Sequence, residues 1–140
     1  MSTLYYDQAE QLIQLFSDHY IRKDYAAFLD LFTDDIVFEF PYAQERNPKR
    51  LYGKVALQQY LEEMEKVLAI TSFTKPVIHI AADAPVFFAQ FEASGKILVT
   101  GESYEQSYIS VVEVQDDRII RYQDYWNPLA VNLKQETNEN

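Results

Sequence analysis

The chain reads as one α+β domain, with three N-terminal helices packed on a strongly curved mixed or antiparallel sheet that forms a cone. Three observations predict this. The first half carries apolar residues at helical spacing, and the stretch from Phe73 onward breaks into β-rich runs separated by turn signals. Helices and strands are segregated along the chain, which argues for α+β and against a parallel βαβ sheet. At 140 residues the chain is the length of a single domain and long enough to bury a sizeable core.

Tyr5, Ala9, Leu12, Ile13, Phe16 and Tyr20 predict a first helix over about residues 3–22. Asp24 can cap a short second helix over 25–32, with Phe28, Leu29 and Phe32 facing inward. After the turn at Thr33-Asp34-Asp35, Ile36 to Phe40 reads as a strand stopped by Pro41. A polar loop follows to Tyr52, and then a third helix over about 54–70 with Leu57, Tyr60, Leu61, Met64, Val67 and Leu68 on one side. Strands are expected at 74–82, 85–94, 96–100, 103–114 and 118–127, the last four as a meander, with Gly95 or Gly101 marking a bulge or sharp bend. The domain is expected to span 1–133, leaving a polar frayed tail over 134–140.

Composition narrows the function. The formal charge is −10, so the surface repels nucleic acid and anionic membranes, which are bound through Lys and Arg. There is no cysteine, which excludes disulfides, thiolate nucleophiles and cysteine-held metals. His19 and His79 are far apart and lack metal-ligand spacing, so no metal site and no cofactor are expected. No glycine-rich phosphate loop and no nucleophile elbow are present, with only three glycines in the chain. The N-terminus lacks a signal-peptide pattern and no apolar run is long enough to span a bilayer, so a cytoplasmic location is expected. Eleven Tyr, nine Phe and one Trp suit either a core or the wall of a cavity, and composition alone does not separate the two.

Three segments carry a family resemblance: Leu29 to Asp35, Tyr52 to Leu57, and Arg118-Ile119-Ile120-Arg121-Tyr122-Gln123-Asp124-Tyr125-Trp126-Asn127-Pro128. In this order and spacing they resemble the SnoaL-like branch of the NTF2-like (cystatin-like) superfamily, over about residues 5–131. The second half, through Phe87, Gly95-Lys96-Ile97 and Tyr104-Glu105-Gln106, is most similar to the phenazine-biosynthesis A/B proteins. The resemblance implies a cone-shaped homodimer that works without a cofactor, in some members by acid–base chemistry inside the cone. Positions matching the ketosteroid isomerase base, tyrosine and aspartate carry Phe40, Phe16 and Ser110, so that mechanism is not expected.

Alternation along the last strand puts Ile120, Tyr122, Asp124 and Trp126 on one face, and Ile119, Arg121, Gln123 and Tyr125 on the other. The first face is an apolar wall with one acid; the second suits solvent or a subunit interface. In the family register Asp124 matches the catalytic carboxylate of the phenazine relatives. Burial among aromatics would raise its pKa toward neutrality, whereas an acid half-exposed at a strand end would stay ordinary. Tyr60, Tyr122, Trp126, Phe40, Phe16, Tyr20, Met64, Tyr104, Tyr108, Ser110, Gln90 and Glu92 are the candidate ligand-binding residues. The relatives carry a His near Tyr60, which here either donates a hydrogen bond or packs in the core. Glu92 is either a second pocket acid or a solvated edge residue. Arg46, Lys49 and Arg50 either clamp an anionic ligand group or are solvated loop charges. The expected function is acid–base catalysis on a small, largely apolar molecule, anionic if the basic loop clamps it, of isomerase, cyclase, dehydratase or condensation type. The alternatives are a non-catalytic ligand-binding module and a dimerising module.

Overall fold

The computed structural model describes residues 4–130, so the expected tail over 134–140 lies outside the described residues. The elements run α1 (Tyr6–Arg22), α2 (Tyr25–Leu29), β1 (Phe32–Glu39), β2 (Arg50–Tyr52), α3 (Gly53–Met64), β3 (Leu68–Phe73), β4 (Val77–Ile80), β5 (Val86–Ile97), β6 (Ser103–Gln115) and β7 (Arg118–Trp126). One curved sheet runs in the order β2-β1-β7-β6-β5-β3, with β4 also paired to β5. The β1–β7 pair is parallel and every other pair antiparallel, so the fold class is mixed α+β as the sequence predicts.

Helix α1 buries Ala9, Leu12, Ile13 and Phe16 on the sheet and ends at Lys23, whose left-handed backbone (φ 59°) returns its N–H to His19 and Tyr20. Asp24 then caps α2 by accepting from the Ala27 amide at 3.2 Å, the role its position suggests. Phe32 belongs to β1 and not to α2. It remains fully buried, so its inward direction holds while its element changes.

The largest departure follows Met64. The sequence predicts helix through Ile70, because Val67 and Leu68 fit a helical apolar stripe; the chain instead forms β3 there. Val67, Ile70 and Thr71 are β-branched, and the edge of β5 offers them backbone partners, a tertiary term that spacing cannot reveal. Strand 74–82 contracts to β4, since Pro76 brings no N–H donor. The separate strand expected at 96–100 does not form; β5 runs unbroken to Ile97 and turns at Gly101 (φ +78°). Strands β3 and β4 lie end to end along β5, bridged where the Thr74 amide meets the Glu92 carbonyl at 2.9 Å.

Two irregularities shape the sheet. Opposite Gly95 the ladder shifts between Ile70 and Ser72, and β3 comes so close that a Cβ on Gly95 would sit 2.1 Å from the Ala69 carbonyl oxygen. In β7 the register jumps from Val114↔Ile119 to Glu113↔Arg121, leaving Ile120 as the bulged residue. Strict alternation therefore fails at one point. Ile119, assigned to the outer face, is buried in the core, whereas Tyr122 onward keeps the expected phase.

On the outer face, Glu39 is 5% exposed and held by Arg50 Nε at 2.9 Å and Arg121 Nε at 2.5 Å. Burial pushes its carboxyl pKa up, but the hydrogen bonds from Arg121 and Arg50 win and hold it below the usual value. Arg50 is thereby committed to the β1–β2 pair. Gly95→Ala is expected to force β3 off β5 and cost about 2–3 kcal/mol, seen as a lower urea midpoint with an unchanged slope. Wild-type stability in that variant would contradict the close approach.

Candidate functional site

Between the helices and the concave face of the sheet lies a cavity of about 440 Å³. Its floor is a stack of three rings: Tyr122 lies between Phe16 (centroids 4.9 Å apart, planes 3° apart) and Phe38 (4.6 Å, 8°). The Tyr122 hydroxyl meets Ser110 Oγ at 2.5 Å. Tyr104 and Tyr108 stand four residues apart on β6, a separation of roughly 13 Å in a flat strand, yet their hydroxyls meet at 2.5 Å. Between them Gln106 Oε1 accepts the Asn127 amide at 2.9 Å, tying the end of β7 to β6.

Asp124 sits two residues beyond Tyr122 on the same face, opposite Ser110, and lines this cavity. Its side chain is half-buried beside that cavity. Among the described residues no cation pairs with it and no side chain hydrogen-bonds to it. Desolvation accordingly pushes its pKa from 3.8 up to about 7. The phenols nearby move as well. Burial, then Tyr104 and Asp124, pushes Tyr20 up to about 12. Burial and Asp124 drive Tyr60 higher still. Burial likewise raises Tyr108 and Tyr122 well above the ordinary phenol value, with Asp124 adding to both. Tyr104 is raised chiefly by burial, and the hydroxyl of Tyr108 beside it pulls the other way. All five phenols thus stay protonated at neutral pH, while Asp124 is divided between its two forms.

The structure brings most of the sequence-predicted residues to this cavity: Asp124, Tyr60, Tyr122, Trp126, Phe40, Phe16, Tyr20, Met64, Tyr104 and Tyr108 all line it. Three need correction. Gln90 and Glu92 point outward, because the inward phase of β5 belongs to Phe87, Ala89, Phe91 and Ala93. Ser110 lies behind the wall, fully buried and bonded to Tyr122. Neither histidine lines the cavity, and among the described residues no group of three His, Asp or Glu is placed to hold a metal ion.

Sequence reasoning missed the mouth. Buried Ala43 and exposed Asn47 and Pro48 of the 41–52 loop line the cavity, whereas Arg46 and Lys49 are exposed and do not. A buried alanine inside a polar loop was the available signal. Ile70 and Phe73 were missed as well, since the helix was carried through residue 70 and the first strand of the second half was started at residue 74. Among the described residues no Lys, Arg or His lines the cavity, so the anionic ligand group that the basic loop suggested has no cation to meet there.

A bent mixed sheet closed by helices over an aromatic chamber defines the NTF2-like class of α+β proteins. Within it the chain belongs to the SnoaL-like family, whose SnoaL-like domain matches residues 12–122. The match ends two residues short of Asp124, so the case for that residue is geometric. The uncharacterised protein YesE of Bacillus subtilis is 41% identical, over 90% of this chain and 86% of its own length. An uncharacterised PhzA/B-like protein of Pseudomonas aeruginosa is 32% identical, over 76% of this chain and 74% of its own. A crystal structure of a candidate isomerase from Bacillus subtilis superposes with TM-score 0.86 at 41% identity, covering 90% of this chain and 91% of that one. That of a candidate polyketide cyclase from Xanthomonas campestris shares the fold (TM-score 0.75, 20% identity, 88% and 93% covered). No helix among the described residues is long and apolar enough to cross a membrane.

The raised acid has a consequence for stability. Between about pH 4 and pH 7 the folded carboxyl keeps a proton that the unfolded chain releases, so stability falls as pH rises through that window. Above pH 7 the full penalty persists, up to roughly 4 kcal/mol at 1.36 kcal/mol per unit. Asp124→Asn is expected to stabilise the protein at pH 8.5 and to change little at pH 4, measured by urea unfolding at both. An equal effect at the two values would mean the carboxyl is not desolvated.

Proposed function

We propose that the protein is an acid–base enzyme of isomerase or cyclase type that works without a cofactor on a small, neutral, largely apolar carbonyl compound. The observation that carries this is the single desolvated carboxylate of Asp124, divided between acid and base near pH 7, facing an aromatic cavity. As base, Asp124 takes a proton from a carbon beside the carbonyl, and the C–H electron pair passes to the carbonyl oxygen as an enolate. The same carboxyl then returns the proton at another atom, or the enolate carbon closes a ring on a second carbonyl, whose C=O π pair moves to oxygen and takes the proton from Asp124. Phenol donors that stay protonated, Tyr60 and the Tyr104–Tyr108 pair, suit the developing oxygen charge. A neutral substrate fits a wall without cations. The likeness to a candidate isomerase at 41% identity supports the same class.

The reading includes a homodimer built on the outer face of the sheet and a single domain over 1–133. Phe88 and Ile109 are exposed there, in register with Val111 and Tyr125. Light scattering is expected to return about twice the 16.4 kDa chain mass; a mass of one chain would remove the dimer.

Screening enolisable ketones and diketones by proton–deuterium exchange tests the chemistry. With an active compound in hand, Asp124→Asn is expected to lower kcat by about 10²–10⁴-fold and leave affinity within about tenfold. For the native enzyme kcat/KM should rise with pH through about 7 and then level. Unchanged turnover in the variant would sink the assignment, and tight binding with no exchange would favour a ligand-binding module.

A further inference from the structure

The inventory of charge around the cavity points beyond a neutral substrate. Neutral phenols face Asp124 from four elements: Tyr20 from α1, Tyr60 from α3, Tyr104 and Tyr108 from β6, and Tyr122 beside it on β7. Among the described residues no Lys, Arg or His lines the chamber. The nearest basic loop is directed elsewhere, with Arg50 on Glu39 and Arg46 and Lys49 exposed. An ionised carboxylate therefore stands in an apolar chamber without a counter-charge supplied by the described chain. Such a charge is costly to bury alone, and any cation that enters and pairs with it recovers part of that cost.

We propose that the cone binds small organic ammonium compounds, with the ammonium group against Asp124 and the apolar part against the aromatic wall. Rings are well suited to this guest, because their electron-rich faces attract cations and a quaternary ammonium carries little hydration to strip. Tyr20, Tyr60, Phe40 and Trp126 all border the chamber. The formal charge of −10 raises the local concentration of cations at the protein surface and lowers that of anions. A volume of about 440 Å³ leaves room for a substituent well beyond the ammonium group itself. The inference stands apart from the proton-transfer reading, although both use the same carboxylate. Ammonium compounds are consequently competitors of the neutral substrate.

Linkage gives the pH signature. Burial keeps the empty acid protonated up to about pH 7, and a bound cation favours its ionised form. Affinity for a permanent cation rises by as much as about tenfold per pH unit below 7 and levels above it, whereas a neutral ligand of equal shape gains nothing from the ionisation.

The test uses choline and 3,3-dimethylbutan-1-ol, which have the same shape with carbon in place of the charged nitrogen, titrated by calorimetry or ligand-observed NMR into the full chain. At about pH 8.5 choline is expected to bind at least about tenfold more tightly than the alcohol. That preference should shrink to less than about threefold at pH 5.5 and in Asp124→Asn. Circular dichroism verifies that the variant is folded, and Asp124→Glu should retain the preference in part. Equal binding of the two at pH 8.5, binding of neither, or a preference that survives in Asp124→Asn would overturn the proposal. Exchange activity lost in Asp124→Asn without any choline preference leaves the proton-transfer reading standing. Choline preference without exchange activity leaves this one standing.

Discussion

Tyr122 lies between the rings of Phe16 and Phe38, nearly parallel to both, and its hydroxyl is bonded to Ser110 on the neighbouring strand. That arrangement joins α1, β1, β6 and β7 at one point. It also fixes the phase of β7 after the bulge at Ile120, so the residue two places on must face the same way. The position of Asp124 in the chamber follows from the packing of an aromatic side chain that need do no chemistry itself. Stacked rings at close spacing add to the area they bury, and a fully enclosed phenol without its Ser110 partner would be costly.

The same packing explains why an acid is tolerated there. An isolated carboxylate buried among aromatics is ordinarily selected against. Here the cavity leaves one side open, and the carboxyl stays protonated over part of the working range. Phenols surround the acid with dipoles and no full charge, so they neither neutralise it nor force it out. The basic residues that might have paired with it are occupied on the opposite face, where Arg50 and Arg121 close around Glu39. Two acids on one sheet, one clamped by guanidiniums and one without a partner, thus have displaced pKa values of opposite sign.

Much of this was legible in the sequence. The helical stripe of α1, the Asp24 cap, the long strands β5 to β7 and the inward phase of Tyr122, Asp124 and Trp126 all follow from local periodicity and turn chemistry. Most of the failures come from tertiary partners that spacing cannot see. Val67 to Ile70 satisfy a helical stripe and a strand equally well, and only the vacant edge of β5 decides between them. Gln90 and Glu92 were placed on the wrong face because two polar residues in alternate positions were taken as ligand contacts, when the flanking Ala89, Phe91 and Ala93 mark the inner side. The placing of Ala43, Asn47 and Pro48 along the cavity depends on how an irregular loop folds back, with the Phe40 amide bonded to the Lys49 carbonyl.

The end-to-end arrangement of β3 and β4 divides one sheet edge between two tasks. Beside β4, Ile78 is packed in the hydrophobic core, whereas β3 offers Leu68, Ile70 and Phe73 to the chamber. Side-chain changes along β3 therefore resize the room available to a guest molecule while the foundation under β4 stays untouched. A lineage carrying this scaffold could retune what it accepts by altering one six-residue segment, provided the glycine that lets that segment approach is kept.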